Sequence, residues 1–249
     1  MLDIWSRINN WYFLCLTLIF ILALFLFFFL EKDKRGKPEF YLPFGLIMLS
    51  AFYEYLAAAT VEFLEINKWL YGVFNYPHEN NHNLWVYNFF GSHLPSLLFL
   101  ALIYQYLFSP LKKRIVKGLS LLFIFSYVAF QVLGIESLFE QQAYSIIVGD
   151  SAVIIACGLY FMELISHPEY SEINPIKAFS FWQVTAILFN DTLKFLLEIS
   201  FKYIISISMN LMASLYLISM ITWLLVLCSF LVTIVLNTRF FNTKELSNE

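Results

Sequence analysis

From Trp11 to Leu30 the chain carries no charged side chain, and apolar stretches of similar length recur to residue 236. A helix that crosses the ~30 Å hydrocarbon core of a bilayer needs about 20 mostly apolar residues. Seven stretches meet that requirement: 11–30, 40–63, 84–108, 115–133, 143–164, 179–199 and 209–236. Such a chain must satisfy its backbone within each helix, because lipid offers no hydrogen bonds. The reading is therefore an all-α, polytopic transmembrane bundle of seven spanning helices, a single domain over residues 1–249.

Composition agrees. Hydrophobic residues make up 60% of the chain and charged residues 13%, against about 25% charged in a soluble domain. Mean hydropathy is +0.72. The net charge of −3 speaks against a nucleic-acid partner. Cys15, Cys157 and Cys228 lie within apolar runs and read as small packing residues rather than a disulfide framework. The first apolar run exceeds the ~7–15 residues of a signal-peptide core, and "EKDKRGKP" follows it in place of a small-residue cleavage site. It is expected to remain as a membrane helix. The boundary between the sixth and seventh spans, "SFKYIISISMN", is apolar and is the least defined.

Lysine and arginine near the span ends set orientation. Lys32, Lys34, Arg35, Lys37, Lys112, Lys113, Arg114, Lys117, Lys177, Arg239 and Lys244 fall on one side, and Arg7, Lys68, Lys194 and Lys202 on the other. This bias predicts an outer N-terminus and a cytoplasmic C-terminus in an inner (plasma) membrane. Trp5, Trp11, Tyr12, Trp69, Tyr71, Trp85 and Tyr87 crowd the expected outer rim, as interfacial aromatic rings do.

Residues 76–85, "YPHENNHNLW", contain His78, Glu79 and His82 in the H-E-x-x-H pattern of zinc peptidases. That chemistry needs both histidines one helical turn apart on a helix, with a third ligand. Here Pro77 precedes the pattern, and Asn80, Asn81 and Asn83 surround it. Asparagine is a poor helix former and a good N-cap. The stretch reads as an outer loop capping the third span, with His78 and His82 the weaker metal candidates.

Ionisable side chains inside spanning helices are costly and mark sites by default. The second span carries Glu54, the third Asn88 and His93, the fifth Asp150, and the sixth Asn190, Asp191, Lys194 and Glu198 within "FNDTLKFLLE". At a rise of about 1.5 Å per residue, Glu54, His93, Asp150 and Asp191 lie ~10–14 Å below the outer span ends. Four ionisable groups from four spans thus share one layer. An Asp–Lys pairing one helical turn apart offsets part of the burial cost of either charge. Glu54, Asn88, His93, Asp150, Asn190, Asp191 and Lys194 are the candidates for an outward-facing ligand or ion pocket. His93, Glu54, Asp150 and Asp191 are the candidates for a metal. The competing reading is polar glue between helices, with Lys194 snorkelling to the headgroups. In "GSHLPSLL", Pro95 and Gly91 predict a bend beside His93. Glu163 and Gln105 are expected near the inner interface.

Known seven-helix architectures narrow the field. A retinal protein needs a lysine in its last span, and 209–236 has none. Seven-helix zinc hydrolases use several intramembrane histidines, and here only His93 is embedded. Sugar transporters with a repeated proline motif have no counterpart. Through "NHNLWVYNFFGSHLPSLLFLALIYQYLF", the basic turn "KKR" and "SFWQVTAILFNDTLKFLLE", the chain resembles an uncharacterised family of bacterial seven-helix integral membrane proteins. The resemblance implies topology and no residue roles. The expected function is sensory or accessory, without a cofactor. The partners are the lipid bilayer and a membrane or cytoplasmic signalling protein. The alternatives are a proton- or ion-coupled small-solute carrier and a metal-dependent intramembrane hydrolase, an enzyme being the less supported class.

Overall fold

A computed structural model describes residues 10–73, 84–166 and 178–237. These form α1 (Trp11–Phe29), the short α2 (Lys32–Arg35), α3 (Pro38–Glu62), α4 (Leu64–Val73), α5 (Leu84–Tyr106), α6 (Pro110–Val132), α7 (Ala143–Ser166), α8 (Phe179–Ile207) and α9 (Met209–Leu236). No strand occurs among the described residues.

Local chemistry explains the helix ends. Asn10 caps α1, its side chain accepting from the Tyr12 N–H at 3.2 Å. Pro38 and Pro110 open α3 and α6, where the missing N–H costs nothing. Gly134, with φ 67°, closes α6. There the Ile135 N–H reaches back to the Phe130 carbonyl at 2.9 Å, and that of Gly134 to Gln131 at 3.2 Å. That left-handed closure favours glycine, which has no Cβ to clash. The weak boundary in the sequence resolves into one residue. Helix α8 continues to Ile207, Ser208 is extended, and its Oγ accepts from the Leu211 N–H to cap α9.

The bend expected at Pro95 takes the form of a π-helical turn over Tyr87–His93. Pro95 cannot donate to the carbonyl of Gly91, four residues back. Just before it, the Leu94 N–H bonds to the carbonyl of Phe89, five residues back. The widened turn lies within the outer half of α5.

Helices α3, α5, α7, α8 and α9 pack in a ring in that order, α9 returning against α3; α1 packs against both α3 and α9, and α6 lies outside against α5 and α7. Leu16, Leu46, Phe99, Val153, Val184 and Leu227 are among the buried residues that fill the ring. The outer faces are apolar: Phe125 on α6 is 72% exposed and Val132 79%. Among the described residues, α1, α3, α5, α6, α7 and α9 are long and apolar enough to cross a membrane. The architecture fits a multi-pass membrane protein whose exposed faces meet lipid.

Helix α8 has 29 residues, so it has the length, but its average is lowered by Gln183, Asn190, Asp191, Lys194 and Glu198. Those polar groups are not on its outer face. Trp182, Phe189, Leu196 and Tyr203 recur every seven residues, and all are exposed. Gln183, Asn190 and Asp191 are buried against the neighbouring helices.

Candidate functional site

A cavity of about 280 Å³ lies inside the ring, in the half of the bundle where α1, α5 and α9 begin and α3 and α8 end. Five helices contribute to it. Tyr12 comes from α1, Tyr53 and Glu54 from α3, Tyr87 and Gly91 from α5, Asn190 and Lys194 from α8, and Tyr216, Ser219 and Trp223 from α9. Of its lining rings, Tyr87 and Tyr216 are exposed, whereas Tyr12 and Trp223 are buried. Gly91 allows close packing at the wall. A Cβ there would meet Tyr87 Cδ2 at 3.2 Å and Tyr53 Cε2 at 3.3 Å. Beneath the cavity, Trp223 packs against Phe99, ring centroids 5.9 Å apart, and Phe99 against Phe230 at 6.4 Å. Packed rings close that end.

Glu54 is held from its own wall. Its Oε1 accepts from the Tyr12 hydroxyl at 2.9 Å and from the Tyr53 hydroxyl at 2.7 Å. Two O–H donors to one carboxylate oxygen are charge-assisted bonds. They orient the group, and among the described residues its hydrogen bonds are these two, both to Oε1.

Lys194 faces the cavity and is paired from behind. Its Nζ lies 3.2 Å from Asp150 Oδ1 and 3.8 Å from Asp191 Oδ1. Both aspartate side chains are fully buried, and that of Lys194 is 13% exposed. Neither oxygen of Asp191 accepts a hydrogen bond, and neither does Asp150 Oδ2. One ammonium thus stands between two buried carboxylates. Asn190 accepts from the Thr222 hydroxyl at 3.4 Å, and its Nδ2 has no partner. Glu198, one turn further along α8, accepts from Gln141 Nε2 at 2.9 Å.

The seven residues singled out by sequence thus fall into three settings. Glu54, Asn190 and Lys194 line the cavity. Asp150 and Asp191 sit behind Lys194. Asn88 and His93 point away from the cavity, toward the loop between α6 and α7. Asn88 Nδ2 donates to the carbonyls of Leu138 and Glu140 at 2.9 and 2.7 Å. His93 Nε2 shares a hydrogen bond with Gln142 Oε1 at 2.6 Å, and its ring packs against Phe123 and Tyr127. This pair anchors a loop. The tyrosines were missed as site residues because Tyr12 and Tyr87 fit the interfacial belt equally well. Nothing local in the sequence says that they turn inward.

Two further buried carboxylates act as caps. Glu136 accepts from the backbone N–H groups of Tyr144 and Ser145 and from the Ser145 hydroxyl, at the start of α7. Glu163 accepts from the N–H groups of Phe108 and Ser109 at 2.8 and 2.6 Å, with Lys112 at 3.8 Å, at the start of α6. Carboxylates at helix N-termini satisfy donors that have no helical partner. Gln105, with Glu39, Tyr106 and Ser180, lines a second cavity of about 520 Å³ at the opposite end of the bundle.

Among the described residues, no three His, Cys, Asp or Glu side chains gather into a group that could hold a metal. Glu54, His93, Asp150 and Asp191 share a depth but not a site, since His93 is turned toward α6 and its loop. The H-E-x-x-H segment with His78 and His82 lies outside the described residues, as does Trp5. Compared with protein-family models, curated proteins and solved structures, the chain matches none.

Proposed function

We propose that this chain is a seven-span inner-membrane protein whose cavity opens to the outside and receives a small ligand, in a sensory or accessory role. The cavity carries the reading. It gathers Glu54, Asn190 and Lys194 with four tyrosines and a tryptophan, the convergence of few polar groups with aromatic walls typical of ligand pockets. The seventh span is α8. Its exposed stripe of Trp182, Phe189, Leu196 and Tyr203 suits lipid, and its Asp191 and Lys194 are turned into the bundle and paired there. The lysine and arginine bias supports an outer N-terminus and a cytoplasmic C-terminus. The packed rings of Phe99, Trp223 and Phe230 below the cavity favour a receptor over an open path. With five helices sharing one cavity, a ligand that draws them together shifts α8 and α9 against α1, and a partner protein reads that movement.

Cysteine accessibility tests the proposal. Ser219→Cys, in a chain with Cys15, Cys157 and Cys228 replaced by alanine, is expected to react with a membrane-impermeant thiosulfonate added from outside. Ser180→Cys in the second cavity is expected to react only from inside. A Ser219→Cys thiol that is unreactive from outside sinks the outward cavity.

A second reading rests on the buried Asp150–Lys194–Asp191 group. Two carboxylates sharing one ammonium can exchange a proton with the cavity, as a proton- or ion-coupled carrier requires. Solute-coupled proton uptake into proteoliposomes, lost in Asp191→Asn, would establish the carrier in place of the receptor.

A further inference from the structure

Resting on the reading of the cavity as a ligand site, we infer that its ligand is a small organic cation of the ammonium class. The first argument is charge. Among the described residues, the groups at or directly behind the cavity are Glu54, Asp150, Asp191 and Lys194, with Glu198 one turn beyond Lys194. The only cation already has two carboxylates within 4 Å, at 3.2 and 3.8 Å. An incoming anion, or the carboxylate end of a zwitterion, would compete with Asp150 and Asp191 for that ammonium. An incoming cation meets a carboxylate with no cationic partner among the described residues, where the Tyr12 and Tyr53 hydroxyls hold Glu54.

The second argument is the wall. Tyr12, Tyr53, Tyr87, Tyr216 and Trp223 ring the space. Aromatic faces attract alkylammonium groups through the ring quadrupole and also cover their methyl groups, which hydrogen bonds cannot do. The two hydroxyls on Glu54 Oε1 hold the carboxylate in place as counter-ion before the ligand arrives. At about 280 Å³ the space suits a choline-sized cation better than a large amphiphile.

The test uses the unaltered protein in detergent and four probes at matched ionic strength: choline, benzyltrimethylammonium, 3,3-dimethylbutan-1-ol (the neutral isostere of choline) and glycine betaine. The expected result is a concentration-dependent rise in unfolding temperature with one or both cations. Their apparent affinity should be at least ten-fold above that of the neutral alcohol and of the zwitterion. Glu54→Gln should weaken cation binding at least ten-fold relative to its own ligand-free baseline, and Tyr53→Phe should weaken it less. Equal affinity for the alcohol and choline overturns the inference. So does a stronger response to betaine, an undiminished response in Glu54→Gln, or no response to either cation. Such failure with Ser219→Cys still labelled from outside leaves the cavity standing and removes only the cation. Failure of the labelling as well removes both.

Discussion

At the residue scale, Lys194 is a charge in the middle of a long helix that faces its neighbours. Viewed along α8 it could snorkel toward the headgroups, as long basic side chains do near helix ends. Instead it turns inward to Asp150 and Asp191. Removing one partner of a buried ion pair leaves a charge without compensation and costs about 3–5 kcal/mol. Lys194→Met is therefore expected to destabilise the protein by about that amount. Adding Asp150→Asn to Lys194→Met should restore part of the loss, because one uncompensated carboxylate is gone. Denaturant unfolding in mixed micelles measures both variants. A single variant as stable as the wild type would mean that the pairing contributes nothing. His93 shows the opposite outcome. It has the depth of the other ionisable groups, yet Gln142, Phe123 and Tyr127 enclose it, and its work is to hold the loop after α6.

At the scale of elements, close approach between helices depends on what small residues leave uncovered. A Cβ on Gly149 of α7 would stand 3.0 Å from two ring atoms of Phe123 on α6 and 3.5 Å from Ser96 Oγ on α5. Three helices meet there. Overpacking of this kind costs about 1–3 kcal/mol, so Gly149→Ala should lower stability within that range. Gly45→Ala in α3, where an added Cβ meets nothing within 4 Å, should be neutral or slightly stabilising, since alanine is the better helix former. Parallel thermal unfolding of the two variants checks the contrast, and equal effects would argue against the tight α6–α7 contact. The π-helical turn in α5 belongs to the same scale. Pro95 was legible as a disturbance, but whether it would kink the helix or widen it depended on how α5 packs against α3 and α7.

For the whole molecule, the number of spans decides where the termini lie. Seven spans put the termini on opposite sides of the membrane, and six put them on the same side. Epitope tags at each end, probed by protease in intact and permeabilised cells, should show the N-terminal tag accessible outside and the C-terminal tag only after permeabilisation. Both tags on one side would mean that α8 does not cross. The difficulty with α8 has a physical origin. Hydropathy averaged along the chain mixes its two faces. The inward face carries Gln183, Asn190, Asp191 and Lys194, and the outward face Trp182, Phe189, Leu196 and Tyr203. On the seven-span proposal only the second face would meet lipid, and the average would then understate how well the helix suits a bilayer.

By itself the sequence determined the helical class and the approximate limits of six long apolar helices. Each long apolar stretch must satisfy its own backbone, and its limits follow from proline, glycine, serine and asparagine at its ends. It also located the costly residues, because an ionisable side chain in an apolar run is conspicuous without any structure. What it could not supply was rotation. Depth along a helix follows from counting residues, whereas direction around it depends on which neighbours the helix packs against. Only the tertiary arrangement separated Glu54, Asn190 and Lys194 at the cavity from Asn88 and His93 at the loop. Only that arrangement turned Tyr12 and Tyr87 from rim aromatics into walls and brought Tyr53 and Tyr216 beside them. The tyrosines were unremarkable in the sequence because a ring facing the headgroups and a ring facing a carboxylate are the same residue. The partner that distinguishes them lies on another helix.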